Sequence, residues 1–304
     1  MRHSLKSQNK VSSNRANFQK RFQPYILLLP LFVVVALLFG YPIYHIISGS
    51  FFKIAIINGE MDFVGLENFK KVFSAKFFLP TLSLTFRYAI VTVFLKLSLG
   101  FVMALFMNSD MYFSKFLKFM SLLPWAMQQV AVAVIWKWIL DGNYGYLNFY
   151  LQKLGLIHEN ISFLSNPGMA FFAASFVDTW LGLPMVSMIF MAGLSNINSS
   201  LYESAKIDGA GVISRFIHIT CPCIKRVFLV TLTLVSIWTF NSFNVIFVLT
   251  GGGPMRSTET LMLKIYEQAF SKFNLGAAYA LSSVVVVILF IFTMLYYKLE
   301  VEED

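Results

Sequence analysis

The chain has 304 residues, 57% of them hydrophobic and only 13% charged, with 33 phenylalanines and a formal charge of +9. Too little polar surface is available to cover a water-soluble globule of this length, so composition excludes a soluble enzyme or binding domain and indicates an integral membrane protein. The 24 Lys and Arg residues are spread over segments flanking apolar runs and form no dense patch, which argues against a nucleic-acid partner.

Residues 1–24 form a basic tail holding Arg2, Lys6, Lys10, Arg15, Lys20 and Arg21 without an acid, and its Ser, Asn and Gln content is that of a disordered segment. The apolar run that follows is too long for a signal-peptide core and no small-residue cleavage site closes it, so it reads as a retained helix. Crossing the ~30 Å hydrocarbon core takes roughly 20 residues at ~1.5 Å rise each. Six charge-poor windows meet that length, within Tyr25 to Ser48, Tyr88 to Met107, Phe119 to Leu140, Gly168 to Ala192, Val227 to Leu249 and Gly276 to Tyr297. The basic residues favour the side of the N-terminal tail, which puts both termini in the cytoplasm. The expected fold is therefore all-α and integral to the membrane, with six transmembrane helices over residues 25–298 and an acidic cytoplasmic tail over 299–304. Pro30, Pro42, Pro124 and Pro184 mark expected kinks.

Two ionisable residues fall inside spans, Lys96 near the middle of the second and Asp178 near the middle of the fourth. Each costs about 2.5 to 3.5 kcal/mol if it faces lipid, so a pair inside the bundle is expected, as a structural tie or at the wall of a pathway. In the competing arrangement each side chain separately meets water or backbone carbonyls.

The polar segment at about 198–222 separates the fourth and fifth spans and includes YESAKIDGAGVISRFIHITCP, Tyr202 to Pro222. Ser200 and Glu203 have capping-box spacing, and Asp208-Gly209 is a helix stop. Val212, Phe216 and Ile219 then recur at i, i+4 and i+7, opposite Ser214, Arg215 and His218. The segment reads as helix, turn, helix. Two short helices cannot bury their apolar faces alone, so they need the bundle, the lipid interface or a partner. The two cysteines, Cys221 and Cys223, fall in a reducing compartment under this topology and lack a third ligand at metal spacing, so neither a disulfide nor a metal site is expected.

In the fifth span, SIWTFNSFNVIF supplies Trp238, Thr239, Asn241, Ser242, Phe243 and Asn244. Sugars present hydroxyls and flat C–H faces, which amides and aromatic rings match, so these residues are candidates for a carbohydrate pathway, joined by Trp180 of the fourth span. Asn241 and Asn244 are expected to share a helical face. Helix–helix hydrogen bonding inside the bundle is the other reading. TGGGP (Thr250 to Pro254) lacks the Gly-Lys-Ser/Thr ending of a nucleotide loop, so energy for transport must come from another subunit. His3, His45, His158 and His218 are scattered, and no catalytic cluster is found.

Glu203, Ala205, Asp208, Gly209, Ala210, Phe216, Ile219 and Pro222 fit the pattern E-A-A-x-x-D-G-A-x-x-x-x-x-F-x-x-I-x-x-P, with Ser204 in place of the first Ala. FVGLENF, LLPWAMQQVAVAVIWKW, YGYLN and TGGGP occur around the later spans in a matching order. In these motifs the chain resembles permease subunits of binding-protein-dependent ABC importers, in the sugar-permease branch related to the maltose-transporter pore subunit. Lys225-Arg226 replaces a second proline frequent in that family. The resemblance implies an ABC type I importer permease fold in a bacterial cytoplasmic membrane, with the 198–222 loop as a coupling helix seated in an ATPase. It also implies a second, different permease chain, two ATPase subunits that hold ATP and Mg, an extracytoplasmic solute-binding protein, and a carbohydrate substrate, expected to be an oligosaccharide. No cofactor is expected on this chain. A permease of the same fold for glycerol phosphate or another small solute, and a non-transporting membrane scaffold, are the alternatives.

Overall fold

The computed structural model describes residues 25, 27–54, 60–109 and 114–301; the basic tail 1–24 and residues 302–304 of the acidic tail lie outside them. The first span is α1 (Leu27–Gly49). Within it Ala36–Gly40 is a π turn in which Tyr41 N–H reaches back to Ala36 O, a local widening that accommodates the ring of Pro42. A short antiparallel ribbon follows, β1 (Phe52–Ile54) with β2 (Met61–Phe63), pairing Phe52 with Phe63. Next comes α2 (Glu67–Ser74), whose buried Asn68 donates to Ser50 O and Phe52 O, both at 2.9 Å. The asparagine of FVGLENF thus fastens this helix to the ribbon.

The second span, α3 (Phe78–Met107), starts well before the expected Tyr88. Its early polar residues are satisfied within the fold: Thr85 Oγ1 donates to Thr81 O at 2.7 Å and accepts from Leu261 N at 2.9 Å. The third span, expected as one helix, is instead α4 (Ser114–Ala126) and α5 (Gln129–Ile139), bent by 100°. Pro124 lies inside α4 and cannot donate, and Gln128 takes an extended conformation at ψ 134°. After α6 (Tyr146–Lys153), Asn148 bonds both Ile161 N and Ile161 O at 3.0 Å and pins the connecting loop.

The fourth span is α7 (Pro167–Ser195), begun by Pro167 at its first turn and capped by Asn166, whose Oδ1 accepts from Gly168 N at 3.0 Å and Met169 N at 3.2 Å. The polar segment forms α8 (Ser199–Ile207), a turn, and then α9 (Val212–Phe240), one helix that continues to the end of the expected fifth span's first half. The second helix of the expected hairpin is therefore the start of the span itself. Phe216–Thr220 is a second π turn, ahead of Pro222. The expected Val227 to Leu249 helix is also interrupted: α9 stops at Phe240 and α10 (Asn244–Leu249) resumes after a break. Asn241 closes α9 by donating its side-chain amide to Ile237 O at 2.8 Å, a local bond that competes with helix continuation. The chain ends with α11 (Leu261–Tyr266), a π turn at Glu267–Ser271, and α12 (Leu275–Val301).

Among the described residues five helices are long and apolar enough to cross a membrane, α1, α3, α7, α9 and α12, and the bent α4–α5 pair makes a sixth when taken as one span. The tightest pairing is α3 on α7. Small residues permit it: a Cβ on Gly100 would fall 2.5 Å from Val186 Cγ1. Ala104, Val186 and Phe190 are buried along this seam, and Gly193 similarly faces Val227 of α9. Phe86, Ile90 and Phe94 of α3 and Phe290, Ile291 and Met294 of α12 remain exposed, an apolar belt suited to lipid or to other subunits.

Candidate functional site

Where α3, α7 and α9 meet, Lys96 Nζ donates to Asp178 Oδ1 and to Thr239 Oγ1, each at 3.0 Å. Tyr88 O–H donates to the other carboxylate oxygen, Oδ2, at 3.0 Å. Lys96, Asp178, Tyr88 and Thr239 are all buried. Two charges removed from water carry a large desolvation penalty, which only close opposite charge and further hydrogen bonds offset. The network meets that requirement, with one ammonium, one carboxylate and two hydroxyls converging from three helices. Gly182 makes room for it, since a Cβ there would lie 2.8 Å from Lys96 Cε.

The ion pair forms part of the wall of a cavity of about 430 Å³. Trp238, Asn241, Ser242, Phe243 and Asn244 line it as well. They do so because α9 breaks between Phe240 and Asn244; Asn241 and Asn244 do not share one helical face as expected, but flank the break. Asn244 Nδ2 donates to Gln129 Oε1 at 3.1 Å, which ties the break to the start of α5. Two of the expected pathway residues lie elsewhere. Thr239 sits behind the wall as the second acceptor for Lys96, and Trp180 packs edge-on against Trp136 at 5.9 Å, away from the cavity. Trp125, Gln129 and Met185 line the cavity and were not anticipated; the helix-breaking Pro124 within the third span was the signal that non-helical backbone lines a space there.

A second cavity, about 640 Å³ between α3, α9 and α12, is walled by Phe86, Phe94, Phe228, Phe240 and other apolar residues. Ser236 is its one polar side chain, too few hydrogen-bonding groups for a sugar, so of these two the smaller cavity is the candidate pathway.

At the far end of α7 from its Asn166 cap, α8 and the start of α9 form the hairpin. Its cap is Asn198, whose Oδ1 accepts from Ser200 N at 3.0 Å, so the expected Ser200–Glu203 capping box is replaced by a cap two residues earlier. The Asp208-Gly209 stop forms as expected. Gly209 has φ +78°, Ala210 N bonds Ala205 O at 2.8 Å, and Gly209 N bonds Lys206 O at 3.1 Å, together a Schellman closure. Tyr202 and Thr220 hydroxyls meet at 2.9 Å, locking the two arms together. Phe216 is half-buried against Phe101, and Ile219 is half-buried beside it in the chain. Glu203, Asp208 and Pro222 are exposed. So are Ile207 at 86% and Val212 and Ile213 at 75% each, an apolar tip that the described residues leave uncovered. Cys221 and Cys223 are separate exposed thiols.

Thr250 to Pro254 forms a turn held by the Thr250 and Thr258 hydroxyls at 2.7 Å and by Thr258 Oγ1 donating to Gly253 O at 2.9 Å. It lies beyond the cavity, at the end of the bundle away from the hairpin.

Residues 96–301 match the family described as binding-protein-dependent transport system inner membrane component. The trehalose/maltose transport system permease protein MalF of Thermococcus litoralis is 34% identical over 278 residues, covering 90% of this chain and 92% of that one. The sn-glycerol-3-phosphate transport system permease protein UgpA of Salmonella typhimurium is 31% identical over 290 residues, 95% of this chain and 97% of its own. Among solved structures, a chain of a bacterial ABC transporter involved in import of the acidic polysaccharide alginate superposes with a TM-score of 0.80 at 21% identity, over 95% of this chain and 99% of that one. The likeness in fold thus covers nearly the whole chain. This chain belongs to the binding-protein-dependent transport system inner membrane components, as a multi-pass permease subunit of an ABC importer and not an enzyme.

Proposed function

We propose that the chain forms half of a translocation pathway for a carbohydrate, taken from a solute-binding protein outside and released to the cytoplasm by alternating access. One observation carries the substrate class: the 430 Å³ cavity combines the amides of Gln129, Asn241 and Asn244 with the rings of Trp125, Trp238 and Phe243, and its one ammonium is already committed to Asp178. Amides exchange hydrogen bonds with hydroxyls, and aromatic faces cover C–H surfaces. The relative that carries sn-glycerol-3-phosphate supports a second reading, but an anion would have to displace Asp178 from Lys96 inside the protein.

The hairpin from Glu203 to Pro222 is the coupling element. Ala205, Gly209 and Ala210 shape it, Phe216 and Ile219 anchor it, and the Ile207, Val212 and Ile213 tip docks on one of two ATPase subunits. ATP and Mg are bound there and not on this chain. A second, different permease completes the pathway, and both termini face the cytoplasm of a bacterial cell.

Uptake of a panel of labelled sugars and of glycerol phosphate, in cells with and without this subunit, tests the reading. Subunit-dependent uptake of a neutral saccharide is expected. Uptake of glycerol phosphate alone overturns the substrate class, and failure to co-purify an ATPase overturns the coupling role.

A further inference from the structure

A third cavity, about 730 Å³, opens on the bundle surface between the first half of α3, the start of α7 and the loop after α10. Three cations line it, Lys76, Arg87 and Arg256, all exposed. Its acid is Glu259, which stands 3.9 Å from Arg256 but accepts from the buried Lys264 at 2.9 Å, so its charge is already met from behind. No carboxylate among the described residues pairs with Lys76 or Arg87. The lower wall is apolar and opens toward the exposed belt through Ile90 at 67% and Phe172 at 63% exposure.

Depth decides what such a groove faces. The 30 residues of α3 extend about 45 Å, against about 30 Å of hydrocarbon, so roughly 7 Å overhangs at each end if the helix is centred. Arg87 lies about 13 Å along the helix from Phe78 and hence several ångströms below the hydrocarbon boundary. A guanidinium at that depth must snorkel upward or meet an anion that descends to it. Lys76, just ahead of the start of α3, and Arg256 line the same groove, as do Ile90 and Phe172.

We infer that this groove binds an anionic phospholipid, its headgroup phosphate between Lys76, Arg87 and Arg256 and an acyl chain along Ile90 and Phe172. The site is separate from the sugar cavity and lies at the opposite end of α7 from the coupling hairpin. Charge complementarity selects the occupant: a zwitterionic lipid brings its own ammonium into a groove that already holds uncompensated positive charge.

The test uses the tagged chain, purified with its accompanying subunits and placed in phosphatidylcholine nanodiscs carrying a minor fraction of photoactivatable phosphatidylglycerol. Label is expected on peptides containing Ile90 or Phe172, falling about fivefold for each cation removed in Lys76→Gln and Arg87→Gln. Arg87→Lys should retain most of it. Arg256→Gln, on an exposed loop, provides the same reading if Arg87→Gln fails to assemble. Equal labelling by a photoactivatable phosphatidylcholine, labelling unchanged in the variants, or cross-links from this groove to a neighbouring subunit would each overturn the assignment.

Discussion

Lys96→Met removes the ammonium from the buried network while keeping most of the side chain's apolar length beside Gly182. Asp178, 8% exposed in the parent, then keeps only Tyr88 O–H as a side-chain donor. Breaking a buried pair by deleting one partner costs about 3–5 kcal/mol, because the orphaned charge keeps its desolvation penalty and loses its compensation. Asp178→Asn should cost a similar amount, since Thr239 alone cannot neutralise Lys96. The double variant Lys96→Met/Asp178→Asn removes both charges and should lose far less than the sum of the singles, giving a coupling energy of roughly 3 kcal/mol or more. Exchanging the charges, Lys96→Asp with Asp178→Lys, should recover assembly only in part, because Tyr88 donates toward position 178 and must turn to accept from a lysine there. Denaturant unfolding of the purified assembly, alongside the amount of folded complex in the membrane, reads all four variants. Additive losses in the double variant would refute the pairing as the source of stability.

The remaining predictions bear on other parts of the fold. In Gly209→Val the added Cβ meets no neighbour but the residue must hold φ +78°, which costs about 1–2 kcal/mol from backbone strain alone; ATP hydrolysis should continue while uptake falls, and unchanged uptake would count against the coupling role. Trp238→Ala and Asn244→Ala should each lower sugar uptake about tenfold with assembly intact, the equivalent of losing one contact worth ~1.4 kcal/mol. For Glu267, burial raises the pKa, but hydrogen bonds from Lys264 and Lys272 outweigh it and bring it to about 2. Because that lies below the ordinary value of 4.5, the carboxylate stabilises the fold above 4.5, and this contribution is lost as the pH falls toward 2. Thermal unfolding followed down that range should therefore be less pH-sensitive in Glu267→Gln than in the parent.

The spans were legible because hydrocarbon thickness dictates their length and the chain has few charges to confuse the count. Lys96 and Asp178 were legible for the same reason: a charge in that setting is conspicuous, and equal depth on neighbouring helices brought them within reach of each other. Breaks were harder to place. Apolar periodicity ran through Met127 and Asn241, so nothing in hydropathy marked the 100° bend or the gap before Asn244. Both depend on local competition, a proline without a donor and an asparagine bonding its own helix's carbonyl, and tertiary contacts decide which side of that competition wins. Trp180 was misplaced because an aromatic residue in a polar-flanked span carries no directional signal; its direction was fixed by Trp136 on another helix.

The hairpin and the cavity share α9, which runs unbroken from Val212 at the exposed tip to Thr239 at the ion pair, about 40 Å at ~1.5 Å per residue. A rod of that kind carries displacement without a relay of side chains, and the Tyr202–Thr220 contact makes the hairpin's first arm move with it. At its cavity end, any shift of α9 must either drag α3 and α7 along or release Thr239 from Lys96. The second outcome is favoured, because the Lys96–Asp178 bond joins two full charges whereas the Lys96–Thr239 bond joins one charge to a neutral hydroxyl. Thr239 is then the contact that yields during each cycle. Thr239→Val preserves shape and removes about 1.5–3 kcal/mol of hydrogen bonding from whichever state makes it, leaving the ion pair in place. Complexes should assemble normally, with altered turnover and little change in half-saturating sugar concentration. Loss of assembly as severe as in Lys96→Met, or turnover identical to the parent, would show that α9 does not separate from the pair during transport.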